Sequence, residues 1–156
     1  MAGMATTPNS FEHTTYNPVE DWLKTKGWKL YPHQISTLNE INRGNNVIVN
    51  SPTGSGKTLA GFMPPIVDFI NCPSSKHLHT IYISPLKALA ADVNRNLVNP
   101  INDLKIDIKV ETRTSDTSAY VKKRQMTSPP DFLMTTPESL SLLMTDENAK
   151  VIFSNL

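Results

Sequence analysis

The apolar run Val47-Ile48-Val49 leads directly into S-P-T-G-S-G-K-T, Ser51 to Thr58, and then into the helix-compatible stretch Leu59-Ala60-Gly61-Phe62-Met63. No other part of the chain restricts the fold as tightly. A strand that enters a small-residue loop and then a helix lets the backbone curl, so that several N–H groups face one anion. The helix start adds its partial positive charge. Lys57 can reach the β- and γ-phosphates as a mobile cation, and the Thr58 hydroxyl suits a Mg2+ shell. The implied ligand is a nucleoside triphosphate with magnesium. Its candidate binding residues are Ser51, Pro52, Thr53, Gly54, Ser55, Gly56, Lys57 and Thr58, with Lys57 and Thr58 as the catalytic pair and Thr58 as the metal ligand. The strict pattern has Gly where Ser51 stands, so this is the relaxed form. A Gly/Ser turn with an ordinary solvated lysine is the competing reading. A dinucleotide fingerprint would need Gly where Leu59 stands.

Around this loop the periodicity alternates. Asn17-Pro18-Val19-Glu20 predicts a helix start by cap, first-turn Pro and acidic partner, and Gly27 a stop. A helix is expected over Pro32 to Arg43, with Ile35, Leu38 and Ile41 on one side and Gly44 as terminator. Val47–Val49 reads as a buried strand, and Lys57–Ile70 as a helix broken or bent at Pro64-Pro65. Strands follow at Thr80–Ser84, Ile106–Glu111 and Phe132–Thr135. Helices follow at Leu86–Leu97, Ser118–Met126 and Glu138–Met144. This order predicts an α/β fold, a parallel sheet with helices on both faces, whose ligands lie at the carboxyl ends of the strands. Met1 to Thr15, rich in Thr, Ser, Asn and Pro, reads as a flexible leader to a single domain over residues 16–156.

Bulk properties exclude little but do so cleanly. A net charge of +1 does not announce a nucleic-acid binder, so any such surface is a local patch. The single Cys72 rules out an internal disulfide and a Cys-based zinc site. It reads as a packing residue. No apolar run approaches membrane-spanning length, and the polar first ten residues lack the order of a secretion signal. A cytoplasmic, reducing setting is the default expectation.

The residues after each expected strand carry chemistry. Ser84-Pro85-Leu86-Lys87 follows one, Thr112-Arg113-Thr114-Ser115-Asp116-Thr117 the next, and Thr135-Thr136-Pro137-Glu138 the last. Hydroxyls and free N–H groups at helix starts donate to phosphate oxygens, and Lys87 and Arg113 add charge. Ser84, Pro85, Lys87, Arg113, Thr114, Asp116, Thr117, Thr136 and Pro137 are thus candidates for a polyanion along one edge. Each alone is equally at home as a helix cap or a first-turn Pro. Glu138 reads as a capping-box partner, and Lys122-Lys123-Arg124 as a solvated helix face.

These segments, with Y-I-S-P-L-K-A-L-A-A-D-V-N-R-N-L and P-P-D-F-L-M-T-T-P-E-S-L, resemble the first RecA-like domain of superfamily 2 DExH/DEAD-box helicases. The likeness is to the Lhr group and the ligase-associated DExH-box DNA helicases, from about Trp22 to Leu156. It implies an ATP-dependent 3′-to-5′ DNA helicase or translocase in DNA repair. ATP and Mg2+ would be its cofactors and single-stranded or 3′-tailed DNA its partner, with a DNA ligase or nuclease as repair partners. It places Gln34 where the family's glutamine reads the adenine edge; Tyr31 or Trp28 would either stack on that base or pack in the core. It sets the strand-end residues against the nucleic-acid backbone. Where the family has T-G-D-T this chain has Ser115 for the glycine, which puts that contact in question if a positive φ is required.

The sequence contains no D-E-x-H; Asp146-Glu147-Asn148-Ala149 has the acids but reads as a solvated helix start. The acidic strand and a second RecA-like domain are needed for phosphoryl transfer, so these 156 residues are expected to be a partial domain without hydrolysis of its own. Three alternatives stand beside this. A small-molecule kinase would need an arginine-bearing lid, which the sequence does not display. A non-enzymatic nucleotide- or nucleic-acid-binding remnant would carry an unpaired sheet edge. An RNA strand could replace the DNA, since backbone contacts discriminate weakly.

Overall fold

The structure, a computed structural model, describes residues 18–72, 78–85, 93–154 and 156. The expected leader, most of the helix expected over Leu86–Leu97, and the candidate Lys87 lie outside the described residues.

Helix α1, Pro18–Thr25, buries Val19, Trp22 and Leu23 and carries Glu20 and Asp21 in its first turn and Lys24 in its last. That charge order suits the helix dipole. It ends in a Schellman motif: Gly27, at φ 70, donates to the Lys24 carbonyl, and Trp28 donates to the Leu23 carbonyl. Helix α2, Pro32–Asn42, ends the same way, with Gly44 on Ile41 and Asn45 on Glu40. Its buried face differs from the expected one. Gln34, Thr37 and Leu38 are inside, whereas Ile35 and Ile41 are 45% and 39% exposed. The reason is local: α2 lies against α3 and turns its amide-bearing edge, not its isoleucines, toward the loop before α3.

Helix α3, Lys57–Asn71, runs unbroken through Pro64 and Pro65. Burial of Phe62, Met63, Ile66, Val67 and Phe69 along it outweighs the two missing amide donors. The stretch Val47–Val49 is a clear correction. It forms no strand, and Ile48 is 96% exposed. A strand exists through its ladder, and among the described residues no strand lies beside this segment.

The sheet has three parallel strands in the order β1-β3-β2, with β1 Thr80–Ile83, β2 Val110–Arg113 and β3 Phe132–Thr135. Thr80 and Val110 both pair with Phe132, and Ile83 and Arg113 both pair with Thr135. The expected strand Ile106–Glu111 is therefore displaced toward its C-terminal end. Its first residues serve another purpose: Ile106 closes the end of α4, Asn99–Asp103, by donating to Ile101, while Lys105 at φ 54 donates to Asn102. A π-helical segment, Asn94–Val98, precedes α4. Helices α5 (Ala119–Thr127), α6 (Pro137–Met144) and α7 (Ala149–Ile152) complete the chain, α7 starting after the exposed Asp146 and Glu147 as expected.

The central strand explains the layering. Phe132 and Met134 join the large cluster with α1, α3 and α4, whereas Leu133 joins Leu78, Leu143 and Ile152 on the other face. Both faces of β3 are thus dry, as a central parallel strand requires. Fully burying a side chain such as Phe132 stabilises by roughly 1.5–3 kcal/mol. The α/β architecture with helices on both faces is borne out.

Candidate nucleotide site and strand-end surface

The loop Ser51 to Gly56 enters α3 with Gly54 and Gly56 both at φ 80. Left-handed backbone at two alternate positions is what glycine supplies without steric cost. The loop is laced internally, by Ser51 Oγ to Ser55 Oγ at 2.6 Å and the Ser55 amide on the Pro52 carbonyl. Lys57 folds back over it, its Nζ donating to the carbonyls of Ser51 and Pro52. A phosphate would offer that ammonium better acceptors than neutral carbonyls. Thr53 and Gly54 form the exposed rim, and Lys57 and Thr58 are half-buried in the first turn of the helix.

Beside the loop opens a cavity of about 790 Å3, bounded by Thr53, Gly54, Gly56, Lys57 and Thr58 on one side and by Trp22, Trp28, Tyr31, Gln34 and Asn96 on the other. Trp28 and Tyr31 are 53% and 54% exposed, so neither is a core residue; both present ring surface at the cavity. Trp28 meets Trp22 edge-on at 6.1 Å, and Tyr31 stacks on His33 at 5.7 Å. Gln34 is only 2% exposed. Its Oε1 accepts from the Tyr31 amide at 2.8 Å and its Nε2 donates to the Gly56 carbonyl at 3.0 Å. The residue expected at the adenine edge therefore also welds the start of α2 to the end of the phosphate loop. The size, the phosphate-facing loop and the half-open aromatic wall fit a nucleoside triphosphate.

The strand ends are more self-contained than their sequence suggests. Ser84 is buried, its amide on the Thr135 carbonyl at 3.1 Å, and Pro85 is exposed. Arg113 turns under the sheet edge, donating to the Lys122 carbonyl at 2.9 Å and to Gln125 Oε1 at 3.3 Å. Burial weighs against its charge, and Asp146 partly offsets that. Thr114 is buried and donates its amide to Thr117 Oγ1 at 2.9 Å, while Ser115 and Asp116 stand exposed at the tip. The sole positive φ among described non-Gly residues is that of Lys105, so Ser115 occupies ordinary backbone and the missing glycine costs no strain. Thr135 Oγ1 donates across to the Arg113 carbonyl at 2.8 Å. Thr136 caps α6 through Ser139, whose amide and hydroxyl both meet Thr136 Oγ1. Glu138 is thus one position early for a capping box. Its own backbone amide and the Thr136 hydroxyl instead hold its carboxyl below the usual range. Lys123 is exposed, as expected, but Lys122 and Arg124 are half-buried and spend their charge on Ser115 and Glu111.

The parallel α/β sheet agrees with what comparison finds. A sequence profile of the DEAD/DEAH box helicases matches residues 31–156. The chain belongs to the DEAD/DEAH box helicase family. It is 37% identical over 153 residues to the ATP-dependent helicase Lhr-Core of Methanocaldococcus jannaschii, covering 89% of this chain and 18% of that protein. It is 40% identical over 147 residues to the Lhr-Core helicase of Sulfolobus acidocaldarius, covering 87% and 17%. Among solved structures, the Mycobacterium smegmatis helicase Lhr bound to ssDNA and AMP-PNP superposes with a TM-score of 0.74 at 34% identity, over 94% of this chain and 19% of that one. The helicase chain thus spans less than a fifth of the length of each of these proteins. The family is one of ATP-dependent helicases, and the resemblance carried by the motif order is borne out. Among the described residues, no helix is long and apolar enough to cross a membrane.

Sequence reasoning missed several contributors to the cavity, Trp22 and Asn96 among them. Trp22 lies on α1, far in sequence from the loop. Asn96 sits on the π-helical segment, a conformation with no simple periodicity to read.

Proposed function

We propose that this chain is the ATP- and DNA-binding portion of an ATP-dependent DNA helicase or translocase of the Lhr type, acting in DNA repair in the cytoplasm. The observation that carries it is the cavity shared by Lys57, Thr58 and the aromatic wall. Lys57 would leave the Ser51 and Pro52 carbonyls for the β- and γ-phosphates, and Thr58 would hold Mg2+. When bound, the metal neutralises phosphate charge and orients the phosphates for transfer. Loop amides from Thr53 to Gly56 would take the remaining phosphate oxygens, and Trp28 or Tyr31 the base. Support for a nucleic-acid strand comes from the exposed Pro85, Ser115, Asp116 and Pro137 lying at the carboxyl ends of three adjacent parallel strands. With no D-E-x-H in its sequence, the 156-residue chain would bind nucleotide without turning it over.

The test is titration of the purified chain with Mg-ATP and, separately, with a fluorescent single strand at several salt concentrations. Saturable ATP binding lost in Lys57→Ala, and DNA binding that weakens with salt, are expected. DNA-stimulated ATP turnover by residues 1–156, abolished by Lys57→Ala, would overturn the expected lack of hydrolysis.

A further inference from the structure

The wall of the cavity opposite the phosphate loop is held from outside. Asp103, the last residue of α4, accepts a hydrogen bond from the Trp22 indole Nε1 at 2.7 Å, across 81 positions of sequence. The same Oδ2 atom takes Lys26 Nζ at 2.9 Å, and that ammonium lies 5.9 Å from the centre of the Trp22 ring. One carboxylate oxygen therefore joins the Trp22 indole of α1 and the lysine just past its end to α4. The indole donor, with Lys26 beside it, holds the Asp103 carboxyl below the usual carboxylate range.

From this anchor, contacts run along the aromatic wall. Trp22 meets Trp28 at right angles, and the Trp28 amide is tied to Leu23 by the Schellman motif. Three residues on, Tyr31 stands just before α2 and ends the wall. Each link after Asp103 touches the cavity: Trp22, Trp28 and Tyr31 all line it. Asp103 itself does not line it. Its side chain is 41% exposed and spends its charge outside the cavity, on the back of the wall.

We infer that Asp103 is a positioning residue for the nucleotide base: through Trp22 and Lys26 it sets the angle of α1 and hence of the aromatic wall that faces the base. This rests on the nucleotide reading above. It makes a selective demand. The triphosphate is held by the loop and Lys57, which Asp103 does not touch, so loss of the anchor weakens base recognition and leaves phosphate recognition intact.

The experiment compares Mg-ATP with Mg-tripolyphosphate, an all-phosphate probe, by calorimetric titration of the full chain and its variants. In Asp103→Ala, ATP affinity falls about fivefold, the equivalent of one hydrogen bond of about 1 kcal/mol, and tripolyphosphate affinity is unchanged. Asp103→Asn, which keeps an acceptor for the indole, recovers part of the loss. Trp22→Phe, which keeps the ring and removes the donor, reproduces it. Equal weakening of both ligands, or no change in either, overturns the positioning role. If ATP binding is lost in Lys57→Ala but untouched in Asp103→Ala, the anchor alone is refuted. A wild-type chain that binds neither ligand refutes the nucleotide site and the anchor with it.

Discussion

Gln34 Nε2 donates to the carbonyl of Gly56 across 3.0 Å, so the first turn of α2 and the last residue of the phosphate loop move as one body. This single bond explains why the buried edge of α2 is polar. It also adds a second reason for glycine at position 56, beyond its backbone angle.

A Cβ on Gly56 would lie 2.5 Å from Gln34 Nε2, on a backbone already at φ 80. Gly54 has the same φ but nothing within 4 Å of a Cβ. Gly54→Ala is expected to cost roughly 1–2 kcal/mol of left-handed strain, and Gly56→Ala about 1 kcal/mol more through the displaced hydrogen bond. Paired thermal melts and ATP titrations check the order. Equal effects at the two glycines would show that Gln34 does not brace the loop.

Gln34→Ala leaves the Tyr31 amide and the Gly56 carbonyl without their partner. A loss of about 1–3 kcal/mol in stability is expected, measured by denaturant titration. ATP affinity should fall with it, because the loop end loses its brace.

Lys105 occupies the left-handed position of a Schellman motif at φ 54, where glycine is usual. Lys105→Gly is expected to raise stability by about 0.5–1 kcal/mol, since relief of strain exceeds the added freedom of the unfolded chain. A lower melting temperature would count against it.

Glu111 sits among Lys109, Arg124 and Gln125. Burial pushes its pKa up, but Arg124, Gln125 and Lys109 outweigh this, so the folded value lies below the ordinary 4.5. A carboxylate with a depressed folded pKa stabilises fully above its unfolded value and loses that contribution as pH falls through the folded one. Wild type and Glu111→Gln should therefore differ in melting temperature at pH 7 and converge below the ordinary carboxylate range. A difference that persists in acid would assign the effect to packing.

How much was legible depends on where each signal originates. Gly27 and Gly44 announced the ends of α1 and α2 because left-handed backbone selects glycine. The third motif of the same kind went unread, since its left-handed residue is Lys105, and α4 went unread with it. Thr136 and Pro137 announced α6 by cap chemistry, and the amide that Thr136 caps is that of Ser139. Val47–Val49 has strand composition, yet a strand is a relation between segments, and no described neighbour supplies the ladder.

The run Ser51 to Thr58 was enough to predict the shape of the loop before α3, because its requirements are local: small residues, two left-handed positions and a lysine at the helix start. Motif order was likewise enough for the family and the parallel α/β plan. Only the tertiary structure decided what surrounds the cavity. It turned Arg113 inward onto α5, assigned the Thr117 and Thr136 hydroxyls to their own loops, and brought Asp103 to Trp22. Such pairings span up to 81 residues and depend on which faces pack together, which no local pattern of residue types can specify.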